Sequence, residues 1–332
     1  MPSADAQPAL ENLLLRYLKV GKRERGIFIH DADFRAVAHE LQVIASRQGL
    51  EFDHHEIDYD GILPLDAETA DILTGSEYQV ILFGMVHNIW HTPERRRAKY
   101  ELKKRLASFV CSPEEVGGAG SLADPDEIGI AARQLARYFP VGSEVVVTNP
   151  SGTEFSAIIG TPFCEDGNYH MPGTGGDFPT GEVGFGPKEG SVNGRVVYDI
   201  KVQHIGLLRE PLRFNVQNDR ILEMSGPAAH RFREICAARG DILNFISEIS
   251  LGLNPFVGIS ATPAYIPEEK TFSTLHCGHG GNASYGNRKG PHLDGVMAKP
   301  TITVGGRLLM KDGVILPDLI EEPSLQWLMQ NR

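Results

Sequence analysis

Two hydrophobic patterns alternate along the first 130 or so residues of the chain. Segments with apolar residues three and four positions apart, typical of amphipathic helices, are separated by short apolar runs, typical of buried strands. The predicted helices cover residues 8–18, 34–44 and 93–106, and the predicted strands cover residues 26–30, 51–58, 78–86 and 108–111. Strands separated by helices of this length predict an α/β domain with a doubly wound parallel sheet.

The remainder of the chain has a different pattern, in which short strand-like runs follow one another between glycine and proline residues. These runs cover residues 144–148, 154–159, 194–198, 212–216, 301–304 and 307–310, and helices are predicted at 126–138 and 226–239. Gly305-Gly306 separates the last two runs, which is typical of a hairpin turn. We therefore expect a Rossmann-like domain over residues 1–140 and an α+β, β-rich domain over residues 141–332. No G-x-G-x-x-G follows the first strand, so no dinucleotide site is predicted.

The composition of the chain excludes some classes of binding partner. The 332 residues include 32 Lys and Arg against 43 Asp and Glu, a net charge of −11, which argues against nucleic acid or a membrane surface as a partner. A basic run at residues 94–105 is interpreted as a solvated helix face or a subunit contact. Four widely spaced cysteines and the lack of a signal peptide or a long apolar segment predict a cytoplasmic protein.

Two histidine-containing segments near the end of the chain suggest a metal centre. His276 and His279 lie in one glycine-rich segment, and His292 and Asp294 follow in another. Residues two apart on a strand point to the same face, so His292 and Asp294 are able to bind one ion, with His276 as a third ligand. Two imidazoles and one carboxylate are typical of non-heme Fe(II) sites, although the same set also suits zinc. His279 is either an alternative ligand or a supporting donor.

Two carboxylates are further candidates. Glu182 follows a turn rich in glycine and proline, at the start of a predicted strand. Glu248 interrupts an apolar stretch, where a carboxylate is costly to bury unless it is paired or bound to a metal. Either residue could instead be a surface glutamate on an alternating strand.

Four short motifs follow one another in the second part of the chain. They are Phe178-Pro-Thr-Gly-Glu-Val, Ile246-Ser-Glu-Ile-Ser-Leu-Gly-Leu-Asn-Pro, Thr274-Leu-His and His292-Leu-Asp-Gly-Val-Met. This ordered set resembles the thermophilic aminopeptidase family, which includes leucyl aminopeptidases and aminopeptidase T. The likeness is greatest to its 2,5-dihydroxypyridine 5,6-dioxygenase-like members, and it runs from about residue 144 to residue 313.

The resemblance to the dioxygenases implies a mononuclear Fe(II) centre held by His276, His292 and Asp294. The substrates would be O2 and a small hydroxylated aromatic or heteroaromatic ring, which the enzyme would open. Glu182 and Glu248 would then handle the substrate or support the ligands. A homo-oligomer is also expected from the resemblance.

The resemblance to the aminopeptidases implies an alternative. All five residues would then hold two Zn, Co or Mn ions that activate water for peptide hydrolysis. Ala283 stands where that family has a tyrosine, the nearest tyrosine is Tyr285, and the chain is shorter than those peptidases. These departures favour the dioxygenase. A binding protein without catalytic activity is a third class, if the centre takes no metal.

A further group of side chains is assigned to the substrate. His87 and His91 follow the most apolar strand of the first domain, and strand ends of a doubly wound sheet face the ligand crevice. Either one of them is the base that deprotonates a phenolic hydroxyl, or both belong to a polar loop in which their hydrogen bonds are already satisfied. Arg288 and Lys289, just before His292, are predicted to bind a carboxylate or phenolate of the substrate, with His279 as a further contact.

Overall fold

The computed structural model describes residues 6–61, 64–282, 285–286 and 288–331, so Ala283 lies outside the described residues. The α-helices are α1 (Ala6–Asn12), α2 (Arg35–Arg47), α3 (Ala67–Thr74), α4 (Pro93–Tyr100), α5 (Ala119–Leu122), α6 (Pro125–Ala136), α7 (Ala229–Arg239) and α8 (Glu322–Gln330). A π-helical turn (Leu13–Tyr17) follows α1, and 3-10 turns cover Pro113–Glu115, Asp241–Asn244 and Pro267–Lys270. None of the helices in the described ranges is long and apolar enough to cross a membrane.

The strands are β1 (Arg25–His30), β2 (Glu51–Glu56), β3 (Val80–Gly84), β4 (Arg105–Phe109), β5 (Glu144–Thr148), β6 (Glu154–Glu165), β7 (Gly175–Phe178), β8 (Glu182–Pro187), β9 (Asn193–Tyr198), β10 (Lys201–Val202), β11 (Gly206–Leu207), β12 (Leu212–Gln217), β13 (Arg220–Ser225), β14 (Ile246–Gly252), β15 (Thr274–Gly280), β16 (His292–Ala298), β17 (Thr301–Val304), β18 (Arg307–Lys311) and β19 (Val314–Ile315).

The chain forms two compact units. The first comprises Met1–Gly129 and Gly167–Thr180, and the second comprises Ile130–Asp166 and Gly181–Arg332. The chain therefore leaves the first unit, returns to it for a short segment and leaves it again. The assignment of domains to residues 1–140 and 141–332 stays a prediction.

The first unit is built on a parallel sheet with the strand order β2-β1-β3-β4-β7. Strands β3 and β4 are buried along their whole length, and the apolar face of α2 is buried as its spacing predicts. The parallel sheet predicted from alternating strands and helices is confirmed. Its fifth strand, β7, was not predicted, because a four-residue strand that begins with two glycines has no hydrophobic pattern.

The predicted helix over residues 93–106 is wrong in its second half. Helix α4 ends at Tyr100, and Lys103 has a positive φ of 58°, which turns the backbone into β4. The interpretation of the basic run as a solvated face is also wrong for three of its members. Arg95 lies over the Trp90 ring at 4.2 Å, Arg105 pairs with Glu24 at 2.5 Å, and Lys104 is 5% exposed.

The second unit contains a fourteen-stranded sheet, as far as the described residues go, with the order β11-β10-β16-β15-β14-β8-β6-β5-β17-β18-β19 along its main path. Its pairings are antiparallel, which confirms the β-rich prediction, and β9, β12 and β13 branch from β6. The predicted hairpin is present, because Gly305 and Gly306 both take the positive φ values that connect β17 to β18. A large apolar core packs against this sheet.

Candidate metal centre

Four neighbouring strands of the second unit present acidic and imidazole side chains on one face. The register pairs Ser250 with His276, Glu248 with Gly278, and Gly278 with Asp294. Directly paired residues of antiparallel strands share a face, and so do residues two apart on one strand. The sheet therefore brings together five of the residues predicted from the sequence: Glu182 on β8, Glu248 on β14, His276 on β15, and His292 and Asp294 on β16.

The distances within this group suit the binding of a cation. The Nε2 atom of His276 lies 3.5 Å from a carboxylate oxygen of Glu182 and 3.6 Å from one of Glu248. The Nε2 atom of His292 lies 3.1 Å from Oδ1 of Asp294. Donor atoms of Glu182, Glu248 and His276 lie within 4.8 Å of one another. No side chain among these five is more than 14% exposed.

A buried 3-10 turn adds two charged residues that the sequence analysis missed. Glu269 has a carboxylate oxygen within 4.8 Å of donor atoms of both His276 and Asp294. The Nζ atom of Lys270 lies 2.8 Å from Glu182, 3.2 Å from Glu269 and 3.5 Å from Glu165. Consecutive charged residues in a sequence normally indicate a solvated segment. No hydrophobic pattern marks this turn as buried, so its burial could not be predicted from the sequence.

A second buried ion pair holds this turn in place. The Nζ atom of Lys201, on β10, lies 3.1 Å from both carboxylate oxygens of Glu268 and donates to the carbonyl of Ser260 at 3.0 Å. The backbone N–H of Ser260 donates to the same carboxylate. Since Glu268 precedes Glu269 directly, these contacts fix the backbone that carries Glu269 and Lys270 into the centre.

Two glycines leave space above the strands for the converging side chains. A Cβ atom on Gly278 would lie 2.5 Å from the His292 ring and 2.9 Å from the Glu248 side chain. A Cβ atom on Gly184 would lie 2.5 Å from Oγ of Ser250, the hydroxyl that donates to Glu182 at 3.1 Å. A larger residue at Gly278 would displace a member of the group, and one at Gly184 would displace the serine that donates to Glu182.

The charged residues perturb one another strongly. Burial alone would lower the pKa of His276, but the neighbouring Glu248 and Glu182 outweigh burial and raise the pKa to about 9. Burial would also lower the pKa of His292, but the neighbouring Asp294 outweighs burial and raises the pKa to about 9. Burial raises the pKa of Glu182 to about 7 even though Lys270 acts in the opposite direction. The carboxylates thus favour positive charge at this face of the sheet.

The donor set fits a metal ion. Nδ1 of His292 lies 2.5 Å from the backbone carbonyl of Gly281, which only accepts hydrogen bonds. This contact places a proton on Nδ1 and leaves Nε2 available as a ligand, as is usual for metal-binding histidines. Nε2 of His276 faces the carboxylates of Glu182 and Glu248, so this nitrogen is positioned as a ligand beside them.

His279 lies on the opposite face of the sheet, away from the five converging residues. Its Nε2 atom lies 2.6 Å from the Tyr198 hydroxyl, and the rings of Phe214 and Phe232 pack against it at 5.7 Å and 5.3 Å. Burial lowers the pKa of His279 to about 3. The separation of three residues from His276 on one strand accounts for this placement.

The other predicted substrate contacts belong to different units of the chain. His87 and His91 belong to the first unit, in the half-buried segment between β3 and α4. Arg288 belongs to the second unit, where its Nη2 atom lies 2.9 Å from Asp219 and its guanidinium lies over the Phe245 ring at 4.7 Å. The guanidinium is thus already engaged by a carboxylate. The roles of these three residues stay predictions.

Comparison with known proteins identifies the family. The sequence model of the 2,5-dihydroxypyridine 5,6-dioxygenase family matches residues 121–317. The structure of 2,5-dihydroxypyridine dioxygenase from Pseudomonas putida KT2440 is similar, with a TM-score of 0.79 and 18% identity over 97% of this chain and 100% of that chain. AmpT from Thermus thermophilus is similar with a TM-score of 0.63 and 12% identity, over 94% and 99% of the two chains. No curated protein sequence matched the chain.

The structural similarities concern the fold, and the sequence match concerns the family. The matched segment contains Glu182, Glu248, His276, His292 and Asp294, so the converging group lies entirely within it. The resemblance stated from the motifs is confirmed. Because the match extends over more than half of its length, the chain belongs to the 2,5-dihydroxypyridine 5,6-dioxygenase family, a family of ring-cleaving dioxygenases.

Proposed function

We propose that the protein opens the ring of a hydroxylated aromatic or heteroaromatic compound such as 2,5-dihydroxypyridine, with O2 and a single Fe(II) ion held by His276, His292 and Asp294. One observation carries the proposal: two imidazoles and a carboxylate lie on the same face of the paired strands β15 and β16, inside the segment that matches the family. Such a ligand set is typical of non-heme Fe(II) oxygenases.

The residues around the ligands support this chemistry. When bound, Fe(II) in a two-histidine, one-carboxylate site supplies open positions for a substrate oxygen and for O2. The Gly281 carbonyl orients the His292 ring through Nδ1, and the glycine at position 278 leaves room for that ring. The low exposure of the centre keeps water away from an oxidisable ring.

The proton of the substrate hydroxyl is proposed to pass to a histidine of the first unit and to the carboxylates beside His276. Glu182 and Glu248 lie beside His276, so either carboxylate would hold a proton released by a substrate hydroxyl. His87 or His91 is proposed as the base that removes this proton first. Alanine variants of the two histidines test that role: the base is the residue whose loss moves the pH profile of turnover, and no change in either profile contradicts the role.

Oxygen consumption tests the proposed reaction. The metal-free chain is loaded with Fe(II) under anaerobic conditions, and O2 uptake is followed after addition of 2,5-dihydroxypyridine. We expect uptake that requires both the metal and the ring compound, together with loss of the ring absorbance. Hydrolysis of a leucyl anilide with no O2 uptake on the ring compound would contradict the proposal.

A second candidate function is metal-dependent peptide hydrolysis with two ions. The observation that favours it is the position of Glu182 and Glu248, both within 3.6 Å of His276 and on the same face as the other donors. Five donors exceed what one ion with open positions needs. Metal content separates the candidates, because the dioxygenase is expected to contain about one iron per chain and the hydrolase about two ions.

A further inference from the structure

A buried lysine occupies the point at which three carboxylates of the second unit meet. Lys270 is 1% exposed, and its Nζ atom is within 3.5 Å of Glu182, Glu269 and Glu165. The three carboxylate side chains are themselves between 3% and 6% exposed. Several converging carboxylates are the ligand set that divalent cations prefer in proteins. Here an ammonium that belongs to the chain takes the position of such a cation.

The lysine cannot leave this position at low cost. Its side chain is enclosed, so a swing into solvent would require the turn at Pro267–Lys270 to open, and the pair of Lys201 with Glu268 holds that turn closed. A divalent ion bound by the same carboxylates would lie within a few ångströms of the ammonium. At that distance and with this burial, repulsion between the two cations is strong.

We propose that Lys270 is a built-in cation that neutralises Glu165, Glu182 and Glu269 and thereby limits the centre to one metal ion. The inference rests on the proposed function in taking that single ion to lie at His276, His292 and Asp294. The lysine then determines the metal stoichiometry of the centre, and with it the choice between one-ion and two-ion chemistry on this set of donors.

Replacement of the Lys270 ammonium by an apolar group of similar length should allow the centre to bind a second metal ion. In Lys270→Met, three buried carboxylates lose their common counter-charge, which is unfavourable unless another cation takes its place. Lys104→Met is the matched control. Lys104 is also a buried lysine, at 5% exposed, but its Nζ atom donates to the backbone carbonyl of Ile72.

The test is the number of Mn²⁺ ions bound by the full-length chain. Each variant is stripped with a chelator, equilibrated with excess Mn²⁺, desalted and analysed for metal and protein. We expect about one ion per chain in the wild type and in Lys104→Met, and about two in Lys270→Met. The electron paramagnetic resonance signal should change accordingly, from that of an isolated Mn²⁺ ion to that of a coupled pair.

Each alternative result is decisive. Two ions in the wild type would overturn the inference and favour the hydrolase, whereas one ion in Lys270→Met would overturn the inference and leave the proposed function intact. No ion in the wild type would contradict the proposed metal centre itself. If Lys270→Met is unfolded without metal, the inference requires that Mn²⁺ restores its circular dichroism spectrum with two ions bound, and failure to do so would overturn it.

Discussion

At the scale of single residues, His292 connects the sheet to the proposed metal. One ring nitrogen is bound to the Gly281 carbonyl, and the other faces Asp294 at 3.1 Å. We predict that His292→Ala abolishes metal binding, a loss greater than the roughly 10–100-fold that removal of a supporting partner costs. Metal content after equilibration with Mn²⁺ is the measurement.

A second histidine provides the control for that variant. The side chain of His230 is 82% exposed on α7, and its substitution by alanine should leave the metal content unchanged. Retention of a full complement of metal in His292→Ala would remove His292 from the ligand set.

A substitution at Gly278 tests whether metal binding requires the free space above β15 as well as the ligands themselves. A Cβ atom there would overlap the His292 ring, so Gly278→Ala should weaken metal binding without removing any donor. We expect a stability cost of about 1–3 kcal/mol from overpacking. Gly258→Ala is the control, since a Cβ atom at that exposed position meets nothing within 4 Å. Equal metal affinity in the two variants would contradict the packing argument.

The sequence contained enough information to identify some members of the site and not others. The two-residue spacing of His292 and Asp294 predicted a shared face, and the structure places them on one. Whether His276 joins them depends on the register of β15 against β16, which no local pattern specifies. Lys270 lies in a run of charged residues that is buried by tertiary contacts alone.

At the scale of elements, the two faces of β15 differ: one carries a proposed metal ligand, and the other, which carries His279, packs against the apolar core. The pKa of His279, about 3, lies below the ordinary value of 6.5. Below pH 6.5, therefore, His279 is protonated in the unfolded chain but stays neutral in the folded chain. Folding is therefore destabilised as the pH falls. Relative to His279→Leu, we predict that the wild type loses about 2 kcal/mol of unfolding free energy between pH 7.5 and pH 5.

Urea unfolding of both proteins across this pH range is the measurement. All other titrating groups, including His292, Asp294 and the Tyr198 hydroxyl, are common to the two proteins, so their difference isolates His279. The metal content of His279→Leu should equal that of the wild type, because the side chain lies on the other face. Parallel pH dependences would show that His279 is not buried in its neutral form.

The 3-10 turn depends on the ion pair of Lys201 with Glu268, both at most 1% exposed. Lys201→Met leaves a buried carboxylate without its partner, and we predict a loss of about 3–5 kcal/mol in unfolding free energy. Adding Glu268→Gln removes the stranded charge while keeping an acceptor for the Ser260 N–H, so the double variant should recover most of the loss. Simple additivity of the two single losses, measured by urea unfolding, would contradict the assignment.

Elements with a repeating hydrophobic pattern were predicted well, and those shaped by close backbone approach were not. Strand β5 and the β17–β18 hairpin agree with prediction because apolar alternation and a Gly-Gly turn are local signals. Strand β7 depends on Gly175, where a Cβ atom would lie 2.3 Å from the Leu106 carbonyl. The fit of glycine against a neighbouring strand is a tertiary property that composition alone does not show.

At the scale of the whole molecule, metal binding should be linked to folding. The proposed ligands come from strands that are separate in sequence, so the unfolded chain has no equivalent site. We predict that Mn²⁺ at about a hundred times its dissociation constant raises the unfolding free energy by about 2.7 kcal/mol. Thermal unfolding with and without a chelator is the measurement. His292→Ala should show no such shift, and an equal shift in that variant would indicate binding elsewhere.

The fold class was predictable at this scale, whereas the path of the chain between the units was not. Helix–strand alternation in one part and short strands in the other were sufficient for a parallel sheet and an antiparallel one. The return of residues 167–180 to the first unit leaves no periodic signal. The oligomeric state also depends on surfaces that no such pattern reveals, and it stays a prediction.

The returning segment has a consequence for synthesis. Strand β4 is buried along its length and pairs with β7, whose last residue is Phe178. During translation, the nascent first sheet has an unprotected hydrogen-bonding edge at β4 until the ribosome has released about 70 further residues. By then β5 and β6 have already emerged. The sheet of the first unit is therefore completed only after part of the second unit has been synthesised. A fragment that ends at residue 129 would lack β7, and β4 would be an unpaired, aggregation-prone edge strand.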